Sequence, residues 1–313
     1  MQTHDFFAMS DEETARFIRE NGGPRVVTLV DDGTRRTGLI SYRMNLSQEE
    51  FMVKLNRRLA RPFMDVYELI FRQGADHIFT PAMTHGRYAL DQNYQRQIIS
   101  YANEVFSGEF WRNWFHEQKI HCRIYGDREM LVEQGYSKTL DYADALHEET
   151  KQYQRKLWLG FACSTAIEQV RMTEEQVLKS GRRHDQHPLQ NGYPDLVRAY
   201  YGEEVPPVDV FIRPCECRLS ETMPPFLGEY AECYFTPIPA TEMKGDWYRK
   251  VVYDYMFVRR RTFGAKSYRE NLEPEALAYL REYYEMHSST VMGLGHRVGG
   301  FWLWGNEQAP TQP

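Results

Sequence analysis

Short, almost wholly apolar runs alternate along the chain with longer segments in which apolar residues return every three or four positions, the pattern of strands alternating with helices. Residues 25–30, Arg-Val-Val-Thr-Leu-Val, are β-branched and nearly all apolar, as a strand buried on both faces of a parallel sheet should be. Positions 76–80, 120–125, 157–163, 208–212 and 229–235 predict five more strands. Ser10-Asp11-Glu12-Glu13 has the Ser-x-x-Glu form of a capping box and opens a short amphipathic helix through Phe17 and Ile18, stopped by Asn21-Gly22-Gly23-Pro24. A second box, Ser47-Gln48-Glu49-Glu50, opens a helix over 51–71 that Pro62 is expected to kink or interrupt. Helices are also expected over 94–106, 142–155, 195–201, 247–257 and 275–286, with another capped at Thr173-Glu174-Glu175-Gln176. Strand followed by helix, repeated, predicts an α/β fold with a central, mainly parallel six-stranded sheet flanked by helices, and places a site at the carboxyl ends of the strands. With no internal repeat or low-complexity tract, positions 1–307 read as one domain and 308–313 as a frayed, disordered tail.

Composition narrows the function. Six Trp, 21 Tyr and 17 Phe leave two readings of the aromatics open, core packing or the lining of an apolar pocket. A formal net charge of −6 argues against nucleic acid as a partner, because nonspecific binding needs a basic face to displace counterions. The first ten residues carry no basic segment followed by an apolar run, and no apolar stretch approaches the ~20 residues that span a bilayer, so the expected location is the cytoplasm, without membrane insertion. Cys122, Cys163, Cys215, Cys217 and Cys233 form an odd set with no Cys-x-x-Cys pair, a poor match to a disulfide framework or a zinc site.

Chemistry concentrates after the first strand. Asp32-Gly33-Thr34-Arg35-Arg36 combines a carboxylate, a backbone free to approach a ligand, a hydroxyl and two guanidinium groups, whose planar donor forks match phosphate oxygens. Alone, the segment is equally an Asp-Gly surface turn with solvated arginines. A second cluster, Arg213-Pro214-Cys215-Glu216-Cys217-Arg218-Leu219-Ser220, again brings two arginines and a hydroxyl to a strand's carboxyl end, and Glu232 adds a carboxylate at the start of an apolar run.

Four blocks in order resemble the cis-prenyltransferase superfamily: Asp32 to Arg36, Asp209 to Ser220, Tyr230 to Phe235, and Arg259-Arg260-Arg261-Thr262-Phe263-Gly264. The pattern departs from that of the chain-elongating members. Thr34 stands for their Asn, Thr37 for their Trp, and Leu39-Ile40-Ser41-Tyr42 for their Gly-His segment. The chain looks more like the superfamily's diterpene synthase branch, that of the tuberculosinol and kolavelool synthases, at Asp32 to Arg36, Tyr125-Gly126-Asp127, Tyr200-Tyr201-Gly202-Glu203, Asp209 to Ile212 and Tyr253-Asp254-Tyr255.

That resemblance implies a fold, a reaction and a set of roles. The substrate class is an isoprenoid allylic diphosphate, a bicyclic C20 compound of the kolavenyl or halimadienyl (tuberculosinyl) kind, and the expected reaction is ionisation followed by capture with water to give a diterpene alcohol. Transfer to adenosine, and elongation with isopentenyl diphosphate, are the alternatives, as is a non-catalytic partner subunit of a prenyltransferase. Gly33, Thr34, Arg35 and Arg36 would hold the diphosphate, with Arg213, Arg218 and Ser220 as a second phosphate region. Asp32 is the expected catalytic base and, with Glu232, the expected ligand of Mg²⁺; Tyr42 and Arg261 are further candidates, and a homodimer is expected. His184-Asp185-Gln186-His187-Pro188 reads as a solvated loop, and the Gly-rich run 293–300 fails as a dinucleotide loop for want of a following helix. Phe301-Trp302-Leu303-Trp304 must bury its rings somewhere, which a tail folded back over the pocket would achieve.

Overall fold

The computed structural model describes residues 3–42, 48–88, 92–164, 166, 168–171, 174–175, 194–259, 274–298 and 301–305. Six strands, β1 Val26–Leu29, β2 His77–Thr84, β3 Ile120–Tyr125, β4 Arg155–Cys163, β5 Val210–Pro214 and β6 Glu232–Thr236, form one sheet in the order β3-β4-β2-β1-β5-β6. Every neighbouring pair in it is parallel, so the expected α/β class and strand number hold. All residues of β1 and β5 are buried, because helices cover both faces, and this is why those strands read as unbroken apolar runs rather than alternating ones. β2 runs on past the predicted Thr80 through Pro81, and its register with β4 shifts between Pro81 and Met83. The irregularity accommodates a residue without an N–H inside the ladder and leaves Ala82 out of the pairing.

The helices are α1 Thr3–Ala8, α2 Asp11–Asn21, α3 Thr34–Tyr42, α4 Gln48–Arg72, α5 His85–Tyr88, α6 Gln92–Ser107, α7 Glu109–Glu117, α8 Arg128–Glu133, α9 Ser137–Thr150, α10 Pro194–Tyr201, α11 Trp247–Tyr253 and α12 Pro274–Met286. The capping box of α2 is formed in both directions, with Glu13 N–H donating to Ser10 Oγ at 3.2 Å and Ser10 N–H to Glu13 Oε2 at 2.8 Å, and Gly22 closes the helix at φ 65°. Pro62 does not interrupt α4. Leu59, Phe63, Met64, Tyr67 and Ile70 bury one face of that helix on either side of Pro62, and this packing outweighs one missing backbone hydrogen bond. α9 begins at Ser137, five residues before the predicted Tyr142. The box at 173–176 and the tail 308–313 fall largely or wholly outside the described residues.

The short helices α1, α5, α7 and α8 have no counterpart in the sequence-based expectation, nor do two features near the strand ends. The segment after Asp32-Gly33 is helical through Leu39 and Tyr42, and the C-terminal region folds into an antiparallel hairpin of β7 Gly295–Val298 and β8 Phe301–Trp304. No helix among the described residues is long and apolar enough to cross a membrane.

Candidate active site

β1 and β5 are hydrogen-bonded neighbours, and their carboxyl ends deliver the first two motif blocks to one point. Val30 N–H still donates to Ile212 O at 3.0 Å, after which the chain turns through Asp31, Asp32 and Gly33 into α3. Gly33 sits at φ +89°, and a Cβ there would lie 2.6 Å from Cys215 Sγ and 2.7 Å from Pro239 Cβ. Glycine is therefore required for the close packing of the β5 turn on the β1 turn, a role separate from any approach of ligand to backbone.

Arg213 joins the blocks. Its side chain is 2% exposed, and its Nε and Nη2 both lie 2.8 Å from Asp32 Oδ2. Nη1 donates to Arg218 O at 2.9 Å, Leu219 O at 3.0 Å and Ser220 Oγ at 2.6 Å, while Nη2 also reaches Glu216 Oε2 at 3.1 Å. Every nitrogen of this guanidinium thus faces an acceptor of the same chain, and the 215–220 turn is wrapped around it. That wrapping holds Cys215 and Ser220 at positive φ, 65° and 46°. Arg218 Nε in turn donates to Glu216. Burial pushes the Cys215 thiol up to about 11, with Arg36 acting against it. Cys215 and Cys217 are free thiols, one buried and one exposed.

Gly33, Thr34 and Arg36 stand with Asp32 at this end of the sheet, and the Arg36 guanidinium lies 5.3 Å from the centroid of the Phe301 ring. Arg35 and Tyr42 belong to α3, but their side chains are outside the described set, as are Arg261 and the 184–188 loop. Thr37, buried at 3%, packs its hydroxyl 3.2 Å from that of Thr241. Facing the turn, the C-terminal hairpin closes a cleft of about 440 Å³ lined by Glu216, Cys217, Arg218, Gly293, Arg297 and Trp302. The aromatic run 301–304 is thereby half-buried over the site, as a folded-back segment would be.

Glu232 is not brought to Asp32. It opens β6 in register with Val210, which is in register with Val27, five positions before Asp32. At about 3.3 Å per residue it stands on the order of 10 Å or more toward the amino ends of the strands. Within one chain the two expected magnesium ligands are therefore not neighbours. Glu232 instead pairs with Arg259 at 3.3 Å, whose Nε meets Asp254 at 2.7 Å and whose guanidinium lies over Tyr234. Among the described residues no group of three His, Cys, Asp or Glu could hold a metal. At this corner Asp32 and Glu216 offer hard carboxylate oxygens, donors of the kind that fit a magnesium ion taking its other ligands from water and phosphate.

Sequence reading passed over Asp31. Its carboxyl accepts from Tyr67 Oη at 3.0 and 3.3 Å and lines a small cavity with Phe63, Tyr101, Trp111 and Phe161. Burial pushes that carboxyl up to about 7 against the pull of the Thr80 and Tyr67 hydroxyls. No local sequence signal flags it, because Tyr67 meets it only through the packing of α4 on the sheet.

Other segments that carry the family resemblance are scaffold. Gly126, at φ +117°, has a position where a Cβ would meet Phe161 O at 1.7 Å, and Asp127 caps α8 through Met130 N–H at 3.0 Å. Asp209 accepts from the N–H groups of Arg25 and Val26 at 2.8 and 2.9 Å and from Tyr255 Oη at 3.2 Å, tying β1 to the π-helical turn Asp254–Arg259 that continues α11.

No family model matches the chain. Over 289 residues it is 24% identical to (+)-kolavelool synthase of Herpetosiphon aurantiacus, covering 89% of both chains. It is 23% identical over 285 residues to tuberculosinyl adenosine transferase of Mycobacterium tuberculosis, covering 90% of this chain and 91% of that one. Its fold matches lavandulyl diphosphate synthase of Lavandula x intermedia, solved with dimethylallyl diphosphate, at TM-score 0.58 and 15% identity over 77% of this chain and 98% of the other. A probable undecaprenyl diphosphate synthase of Campylobacter jejuni matches at TM-score 0.55 and 16% identity with the same coverage. With its parallel sheet and these structural matches the chain has the cis-prenyltransferase fold, and along nearly its whole length it is similar in sequence to kolavelool synthase and tuberculosinyl adenosine transferase.

Proposed function

We propose that the chain is a diterpene synthase: it ionises a bicyclic C20 allylic diphosphate of the kolavenyl or halimadienyl kind and lets water capture the cation, releasing an alcohol and diphosphate. The observation that carries this reading is the Asp32–Arg213 contact, which assembles one phosphate-facing corner from two motif blocks 181 residues apart. Arg36 and the amides after Asp32 supply positive charge and donors where negative charge develops as the allylic C–O bond breaks. Asp32 would hold a magnesium ion, whose charge would stabilise the departing diphosphate.

The same geometry favours a single diphosphate over the two needed for elongation. Arg213 is engaged within the chain and Arg218 Nε is turned onto Glu216, which supports reading the second region as support for a single diphosphate rather than as a second site. The cleft under Trp302, at about 440 Å³, lies within the range of pockets for ligands of this size, roughly 300–1,000 Å³. A second reading rests on that cleft: a flat nucleoside stacked on Trp302 would make the chain a transferase to adenosine.

Incubation with geranylgeranyl, kolavenyl and halimadienyl diphosphates and Mg²⁺, with and without isopentenyl diphosphate and adenosine, separates these cases. Release of a C20 alcohol without either co-substrate supports the synthase; strict dependence on isopentenyl diphosphate refutes it.

A further inference from the structure

Arg36 differs from the other described arginines of the corner in what holds it. Arg213 and Arg218 commit donors to Asp32 and Glu216. Arg36, partly buried on α3, has no carboxylate partner among the described residues, and its guanidinium lies 5.3 Å from the centroid of the Phe301 ring. The two kinds of partner leave an arginine in different states. A carboxylate occupies the in-plane N–H groups and cancels the charge, whereas an aromatic face attracts the cation through its quadrupole and leaves those N–H groups for another acceptor. A guanidinium held on a ring is oriented and still able to bind an anion.

The hairpin that carries Phe301 is pinned at its open end, where Gly305 N–H donates to Leu294 O at 3.0 Å and His296 Nδ1 lies 3.2 Å from Gly305 O. Its register pairs Arg297 with Trp302 and Val298 with Phe301, so Arg297 and Trp302 share one face and Phe301 takes the other. A Cβ at Gly295 would lie 2.5 Å from the Trp302 indole, so that ring packs directly on the β7 backbone. Arg297 and Trp302 line the cleft with Glu216, Cys217 and Arg218, while Phe301 meets Arg36. Each face of the hairpin is thus turned to one of the two arginine-bearing blocks.

We propose that Phe301 is a positioning residue that holds Arg36 for the diphosphate, which makes the C-terminal hairpin a working part of the Asp32 corner rather than a cover over it. The inference rests on the placement of diphosphate at that corner in the reading above, and deepens it by naming what orients the arginine. Arg36 is the third residue of α3, and its long side chain loses rotamer freedom when it grips a ligand. Packing on the ring removes part of that freedom before the ligand arrives. Phe301 makes and breaks no bond, and acts through Arg36 alone.

The test is calorimetric binding of inorganic diphosphate with Mg²⁺, which needs no turnover, to the unaltered protein and to Phe301→Leu, Phe301→Tyr, Arg36→Gln and the Phe301→Leu/Arg36→Gln double variant. Phe301→Leu should weaken binding about 5- to 30-fold, the range of a partly desolvated cation–π contact, and Phe301→Tyr, which keeps a ring face, should stay within about threefold of the unaltered protein. In the Arg36→Gln protein, Phe301→Leu should have no further effect, because a residue that acts through Arg36 then has nothing to position. Should Phe301→Leu fail to fold, a fluorinated phenylalanine at 301 keeps the shape of the ring while withdrawing electrons from its face, and the same weakening is expected. Binding unchanged by Phe301→Leu or by the fluorinated ring, or an equal loss with and without Arg36, overturns the inference and leaves the synthase reading standing. The expected weakening in a protein that turns over no C20 diphosphate upholds it and overturns the synthase reading instead. Absence of diphosphate binding by the unaltered protein overturns both.

Discussion

Arg213 places Nε and Nη2 at 2.8 Å from the same oxygen of Asp32, while its third nitrogen closes on the 218–220 turn. The arginine is a buried keystone and the aspartate is the exposed end of the pair, 13% accessible on its side chain. Removing either partner has different consequences.

Asp32→Asn keeps an acceptor for Arg213 but loses the charge at the diphosphate end. Turnover should fall at least ~100-fold, the scale of losing one preorganised electrostatic contact, with the circular dichroism spectrum unchanged. Wild-type turnover in this variant would refute the site assignment.

Arg213→Met leaves Asp32 and Glu216 without their buried counter-charge. We expect a loss of about 3–5 kcal/mol in urea unfolding, the scale for breaking one side of a buried ion pair. A variant of unaltered stability would show that Arg213 is a ligand group held in reserve rather than a keystone.

Gly33→Ala forces a Cβ into Cys215 Sγ and Pro239 at a left-handed φ. Strain and overpacking together should cost about 2–4 kcal/mol of stability and most of the activity. Denaturant midpoints of the two proteins, compared at equal slope, measure it.

Glu232→Gln should leave the Mg²⁺ concentration for half-maximal activity within about threefold of wild type, because Glu232 stands at the opposite end of the strands from Asp32. A tenfold shift in the magnesium titration would contradict that placement.

Stability should also depend on pH through Glu168, which burial pushes up to about 7 and which accepts from Tyr200 Oη at 2.7 Å. The folded state then binds a proton that the unfolded state has released, so this contribution is full below the ordinary carboxylate pKa near 4.5 and is lost as pH rises through 7. Melting temperature should decline from pH 5 to pH 8, and Glu168→Gln should flatten part of that decline.

The fold was legible where burial imposes a pattern. β1 and most of β5 are apolar because both faces of the sheet are covered, and the α2 cap is spelled out by Ser10 and Glu13. Positions decided by long-range packing were not. Pro62 reads as a breaker, but the buried face of α4 overrides it. Glu232 follows the second block closely in sequence, yet only the parallel register of β5 and β6 shows that it faces the other end. Arg213 reads as a phosphate ligand by residue type, and its hydrogen bonds to Leu219 O and Glu216 Oε2 are long-range packing that residue type does not foretell. Asp31 was overshadowed by Asp32, since nothing local says that Tyr67 and Thr80 meet it.

Water capture at the Asp32 corner is tested most directly by turning over kolavenyl or halimadienyl diphosphate in H₂¹⁸O, without isopentenyl diphosphate or adenosine. The account predicts a C20 alcohol carrying ¹⁸O with one diphosphate released per alcohol. An unlabelled alcohol, or no C20 product until isopentenyl diphosphate is added, would contradict it.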